Sequence, residues 1–217
     1  MINSVNNLIS IQDTLKIKIK NLKQPTIIAV SKTFPISHIY PLINHGHQHF
    51  GENKVQESQE KWISIKEDFP LIKLHMVGRL QSNKAMLAVK LFDYIHSLDN
   101  LKLAEKISNE QLKLGKKVKI FIQINIGNEP QKSGISIDNL EVFYKRCVND
   151  LNLNIIGLMC LPPKSIDTKN YFQVMSGLAK KNNINELSMG MSDDFIKATE
   201  FGATFIRIGS KIFGERD

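Results

Sequence analysis

The sequence predicts a single (β/α)8 TIM barrel with an extra N-terminal helix. Three observations predict it. Eight short β-rich runs recur along the 217 residues. Longer helical stretches separate them. Several of the runs are almost continuously apolar, as parallel strands are when helices cover the sheet from outside. A doubly wound open sheet is the alternative; the count of strands favours the barrel.

The first helix precedes the first strand. Leu8, Ile11, Leu15, Ile19 and Leu22 recur every three or four positions and form one apolar stripe. TIIAVS (26–31) is the first strand, and Pro35 turns the chain toward the next helix. Helix 36–45 leads to HQHFG (47–51) and then helix 53–66. IKLHMVG (72–78) precedes helix 82–91, with Ser82 as a candidate N-cap. FDYIHS (92–97) precedes helix 100–114, with Asn100 as the cap. VKIFIQIN (118–125) is followed by helix 137–149, and LNIIGLM (153–159) by helix 168–182. ELSMG (186–190) is followed by helix 193–201, with Ser192 as a third candidate cap. Asp193 and Asp194 suit the positive end of that helix. TFIRIG (204–209) is the eighth strand. The second and seventh strands carry the weakest signals.

Composition narrows the function. A chain with 42% hydrophobic residues supports one sizeable core, so residues 1–217 are expected to form one domain. No apolar run approaches the roughly 20 residues of a membrane span. The N-terminus has no early basic cluster and no long apolar core, so no signal peptide is expected. Cys147 and Cys160 lack metal-ligand spacing and read as buried free thiols. No metal site is expected, and the cytoplasm is the expected location. The net charge of +8 raises nucleic acid as a partner, but only four of the 29 basic residues are arginine: Arg79, Arg146, Arg207 and Arg216. The lysines are scattered among acids, which reads as a solvated surface rather than a nucleic-acid footprint.

Barrels and open sheets both place their sites at the C-terminal ends of strands. Polar residues gather there. In barrels the loops after strands seven and eight often bind phosphate. Here they carry Gly190-Met191-Ser192 and Gly209-Ser210, where glycine allows close backbone approach and serine adds a hydroxyl donor. Lys32 ends the first strand. Taken alone it is a lysine that snorkels to water or pairs with Glu52, or an amine with a lowered pKa that attacks aldehydes. Arg207 interrupts an apolar strand and needs an anionic or electron-rich partner. A phosphate-bearing aromatic aldehyde satisfies all three features, and pyridoxal 5′-phosphate is such a molecule.

The chain also resembles a known family. The carriers are AVSKTFP (29–35), FGENKVQE (50–57), HMVGRLQSNK (75–84), IHSLD (95–99), IQINIGNEPQKSG (122–134), GLMCLP (157–162), LSMGMSDDF (187–195) and IRIGSKIFGERD (206–217). In that order they resemble the pyridoxal phosphate homeostasis proteins (the YggS/PROSC family), relatives of the alanine racemase barrel. The resemblance implies a fold-type III barrel that holds the cofactor on Lys32 as a Schiff base. It implies phosphate contacts from Met191, Ser192, Gly209 and Ser210. It implies Arg207 near the ring nitrogen or the phosphate, and Asn53 and His75 near the ring. Lys211 is expected to add positive charge beside the phosphate.

The same resemblance bears on turnover. Racemisation on this fold needs a second base facing the lysine. In racemases that base resembles a tyrosine from a second, β-rich domain. The chain ends within ten residues of Arg207, so that domain is expected to be absent. Tyr40, Tyr94, Tyr144 and Tyr171 fall on helices or inside a strand. The expectation is a monomeric carrier acting in vitamin B6 homeostasis, with no catalytic residues and with apo-enzymes as candidate recipients. A small racemase-type enzyme is the alternative.

Overall fold

The computed structural model describes residues 3–19, 23–163 and 167–215; Leu22 and Arg216 lie outside them. Eight parallel strands close into a barrel in chain order. They are β1 (Thr26–Val30), β2 (His49–Glu52), β3 (Lys73–Met76), β4 (Tyr94–Leu98), β5 (Lys119–Ile124), β6 (Ile155–Cys160), β7 (Glu186–Met191) and β8 (Phe205–Ile208). Closure is made by β8 on β1, from Thr26 opposite Phe205 to Ala29 opposite Ile208. The barrel expectation holds and the open sheet is excluded.

Helices form the outer ring. They are α1 (Ser4–Lys18), α2 (Ile36–Asn44), α3 (Val55–Asp68), α4 (Ala85–Leu91), α5 (Leu101–Leu114), α6 (Leu140–Lys145), α7 (Lys169–Lys181), α8 (Phe195–Glu200) and α9 (Ser210–Phe213). The extra helix α1 buries Leu8, Ile11 and Leu15. It packs on α2 and on the short α9, where the Asn7 amide donates to the Ile212 carbonyl at 3.0 Å. The predicted helix 82–91 opens with a 3-10 turn, and 137–149 closes with a π-turn over Arg146–Asp150.

The caps divide. Asn100 caps α5 by accepting from the Leu103 N–H at 2.9 Å. Ser82 lies inside the 3-10 turn and makes no capping bond. Ser192 is not the cap of α8, because Asp194 holds that position. The Asp194 carboxylate instead accepts the Met191 N–H at 2.7 Å and closes the turn between β7 and α8.

Barrel interiors are usually filled by branched aliphatic side chains. This one contains rings. His75 stacks on Tyr94 with centroids 4.2 Å apart, and His96 stacks on Phe121 at 4.2 Å. Phe205 packs edge-on against Phe121. His75, His96, Ser188 and Arg207 are buried beside them. Burial pulls both interior histidines well below the ordinary histidine range, helped for His96 by the Arg207 charge and for His75 by His96. They are neutral in the folded protein and titrate near pH 6.5 when unfolded. The unfolded chain therefore binds more protons in acid, and stability falls as pH drops below about 6.5. Denaturant midpoints should show a loss of about 1.4 kcal/mol per pH unit for each of the two histidines. A flat profile from pH ~7 to ~5.5 would contradict their neutral burial.

Candidate functional site

A cavity of about 990 Å³ opens at the C-terminal ends of the strands. That volume suits a small cofactor. Lys32, Asn53, Met191, Ser192, Arg207, Gly209 and Ser210 line it. Seven of the eight residues expected at a cofactor site thus come together. His75 does not, because strand alternation turns its ring into the barrel interior, onto Tyr94 and His96.

Lys32 is placed by the residues on either side. Before it, Ser31 is fully buried and its hydroxyl donates to Glu52 Oε1 at 2.8 Å. The same oxygen accepts from Lys61 Nζ at 2.9 Å and from Trp62 Nε1 at 3.0 Å. Lys61 also reaches the Ser31 carbonyl at 3.1 Å. The acid of the GEN motif is therefore a buried clamp on the end of β1, and its bonds run to Ser31, Lys61 and Trp62. After Lys32 the chain turns through Thr33 at φ 69, a left-handed conformation that costs a β-branched residue energy. Phe34 then stacks on Phe213 of α9 at 4.9 Å. Pro35 starts α2, as expected.

Arg207 stands on β8, next to β1, and is held by β7 and β6. Its Nη1 donates to Ser188 Oγ at 2.6 Å and its Nη2 to the Cys160 carbonyl at 2.9 Å. Two of its five N–H donors are thus committed. Phe205 and Arg207 share the inner face, as alternation requires.

The two glycine-serine loops meet beside it. Gly190 has φ +89, and a Cβ there would lie 2.6 Å from the Ala198 methyl, so this turn requires glycine. Among the described residues, none accepts a hydrogen bond from the backbone N–H of Ser192, Gly209 or Ser210. The Met191 N–H is already taken by Asp194, so Met191 offers the site its side chain and not its amide. Ser192 Oγ lies 3.4 Å from the Lys211 N–H. The Lys211 ammonium sits over the Phe195 ring instead of lining the cavity. A Cβ on Gly78 would meet the Asn53 carbonyl at 2.4 Å, and that glycine lets the loop after β3 close against Asn53.

The donor set fits a phosphate-bearing aldehyde. It offers an amine, a guanidinium, two serine hydroxyls and three backbone N–H groups without acceptors among the described residues. Among the described lining residues, the basic side chains Lys32, Arg79, Lys132 and Arg207 outnumber the acidic Asp193 and Glu215, which favours an anion. Val30, Phe34, Val77 and Leu161 supply apolar wall. Gln123, Asn125 and the 131–133 loop also border the cavity. Gln123 holds the Ser133 carbonyl at 3.0 Å, and Asn125 holds both ends of Glu129. These residues stood at the end of the fifth strand in the sequence, and that position was the available signal.

Comparison with known proteins agrees with the geometry. The family profile described as alanine racemase, N-terminal domain, matches residues 7–217. A pyridoxal phosphate homeostasis protein of Pasteurella multocida is 34% identical over 225 residues, covering 97% of each chain. PipY of Synechococcus elongatus, solved without PLP, superposes with a TM-score of 0.87 at 33% identity, over 99% of this chain and 100% of that one. The same protein with PLP bound gives 0.85, over 97% of this chain and 100% of that one. An alanine racemase of Clostridium difficile, 15% identical with a TM-score of 0.73, shares the fold; the match covers 99% of this chain and 57% of the racemase.

The Glu52 clamp is directly testable. Glu52→Ala strips Lys61 and Trp62 of a buried acceptor and should cost about 3 kcal/mol in urea unfolding. Glu52→Gln keeps an oxygen acceptor and should cost less. A Glu52→Ala variant within about 0.5 kcal/mol of wild type would mean that Glu52 does not hold the end of β1.

Proposed function

This chain belongs to the pyridoxal phosphate homeostasis protein family, built on the alanine racemase N-terminal domain, and on that premise we propose that it is a carrier of pyridoxal 5′-phosphate anchored at Lys32. The single observation that carries the reading is the convergence of the Lys32 amine, Arg207 and the open N–H groups of Ser192, Gly209 and Ser210 on one cavity. The whole barrel acts as one cofactor-binding domain.

The bound cofactor supplies an electrophilic aldehyde, and this chain supplies its surroundings. Lys32 offers the amine that anchors it reversibly. Ser192, Gly209 and Ser210 offer backbone N–H groups and hydroxyls to the phosphate. Arg207, which can only donate, would meet the ring nitrogen or the phosphate; at the nitrogen it would leave that atom unprotonated and weaken the ring as an electron sink. Asn53, which follows β2, would border the ring. Met191 contributes apolar contact. Val30, Val77 and Leu161 limit water around the anchor.

Carriage without turnover is the reading the lining supports. A racemase-type reaction needs a second proton-transfer group opposite the lysine. Among the described residues that line the cavity there is no tyrosine, histidine or cysteine; besides Lys32 its acid–base side chains are Lys132, which is paired with Glu129, and the acids Asp193 and Glu215. The four tyrosines lie on α2, β4, α6 and α7. A reducing, cytoplasmic setting belongs to the same reading. Cys147 and Cys160 are buried free thiols, and burial pushes each up to about 12. The protein acts as a monomer and hands its cargo to apo-enzymes.

Mixing the purified protein with pyridoxal phosphate should produce a visible absorption band, absent in Lys32→Ala. A band of wild-type strength in Lys32→Ala would overturn the anchor. Solvent deuterium exchange at Cα across a panel of amino acids should stay at the rate of free pyridoxal phosphate. Rapid exchange that depends on Lys32 would establish the racemase-type alternative.

A further inference from the structure

Three histidines stand in the barrel where branched aliphatics usually pack, and none of them lines the cavity. They nevertheless end on it. His49 Nδ1 lies 2.9 Å from His75 Nε2, and His75 Nδ1 lies 2.9 Å from His96 Nε2. His96 Nδ1 lies 2.8 Å from Ser188 Oγ, which accepts from Arg207 Nη1 at 2.6 Å. His49 opens β2 at the N-terminal end of the barrel, and Arg207 stands near the C-terminal end of β8. The chain of contacts therefore spans the barrel.

Proton counting gives the chain a direction. A guanidinium only donates, so Arg207 occupies one lone pair of Ser188 Oγ. Ser188 is fully buried, and among the described residues its hydroxyl makes these two contacts alone. Its one hydrogen therefore goes to His96 Nδ1. His96 then carries its hydrogen on Nε2 and gives it to His75 Nδ1. His75 likewise gives its Nε2 hydrogen to His49 Nδ1. The opposite polarity leaves the Ser188 hydrogen buried without an acceptor, which is costly. Three histidine tautomers thus follow from one arginine.

We infer that Ser188, His96, His75 and His49 form a directional hydrogen-bond chain that orients Arg207 toward the cofactor and makes cofactor affinity depend on the protonation of His49 at the opposite end of the barrel. The inference rests on the proposal that the cavity holds pyridoxal phosphate. All four are positioning residues that act through Arg207.

His49 is the half-buried end of the chain, while His75, His96 and Ser188 are fully buried. It faces His75 and Lys73 of β3, Asp93 and Tyr94 at the start of β4, Lys119 of β5, and His47 in the turn before β2. Burial and the two lysines hold its pKa below the ordinary histidine value, against the pull of Asp93. When His49 does take a proton, its Nδ1 becomes a donor and meets the Nε2–H of His75. The chain must then reverse: Ser188 Oγ accepts from both His96 and Arg207, and its own hydrogen is left buried without an acceptor, a cost that disfavours the serine position that holds Arg207. Affinity should therefore fall in acid, below the ordinary histidine range.

Two measurements test this. In the apo-protein, imidazole 15N–1H correlation spectra should show His49, His75 and His96 each protonated on Nε2 and bare on Nδ1. A Nδ1–H tautomer at any of the three would overturn the chain's direction. For the far end, pyridoxal phosphate affinity is measured against pH in wild type, His49→Leu and His49→Gln. His49→Leu removes the acceptor for His75 and should shift the His96 signals and weaken binding about threefold to tenfold. His49→Gln retains an acceptor and should restore both, without the extra acid loss seen in wild type. Wild-type His96 signals and affinity in His49→Leu, or identical pH profiles in wild type and His49→Gln, would overturn the coupling. If wild type took up no pyridoxal phosphate, the carrier reading would fail, while the apo spectra would still decide the polarity of the chain.

Discussion

A guanidinium buried inside a barrel must find hydrogen-bond acceptors, because an uncompensated buried charge costs several kcal/mol. Arg207 finds two in Ser188 Oγ and the Cys160 carbonyl. Much of the interior follows from that. The hydroxyl of Ser188 is drawn into a polar chain, and rings replace aliphatics along it. Tyr94 and Phe121 stack on the histidines and keep them dry. The chemistry at the mouth and the packing of the core are thus parts of one network. Double-mutant cycles are the clean way to apportion such a network.

Lys32 is fixed from outside the barrel, by another route. Glu52 gathers Ser31, Lys61 and Trp62, and so ties β1 to β2 and α3 at the point where the chain leaves the sheet. The left-handed turn at Thr33 and the Phe34–Phe213 stack carry the chain away. Lys32 therefore rests on strand ends and the two glycine-serine turns on loops. That division suits the proposed carrier, which needs a firm covalent point and a release path.

The fold was legible because its signals are local. Continuous apolar runs marked the strands, and Asn100 marked a helix start through its own side chain. That Lys32, Arg207 and both glycine-serine loops border one cavity was legible from their positions at strand ends. Other features depend on closure and could not be read. HQHFG suggested a strand from residue 47, whereas β2 runs from His49 to Glu52. The strand ends one residue later than expected, so Glu52 is its last residue and a buried clamp, and two of its partners lie nine and ten residues further on in α3. His75 was expected near the ring, but its neighbours His49, His96 and Tyr94 come from β2 and β4, and only sheet register brings them together. Ser192 looked like a cap because serine before two aspartates usually is one; Asp194 holds the cap position and satisfies the Met191 amide.

The account stands on Lys32 as the one covalent point of a built site among many surface lysines. Borohydride reduction of the pyridoxal phosphate complex, followed by digestion and mass spectrometry, reads that point directly. The account predicts one adduct per chain, mapped to Lys32 and maintained at equimolar cofactor. Adducts spread over several lysines, or a dominant adduct elsewhere with Lys32 unmodified, would contradict it.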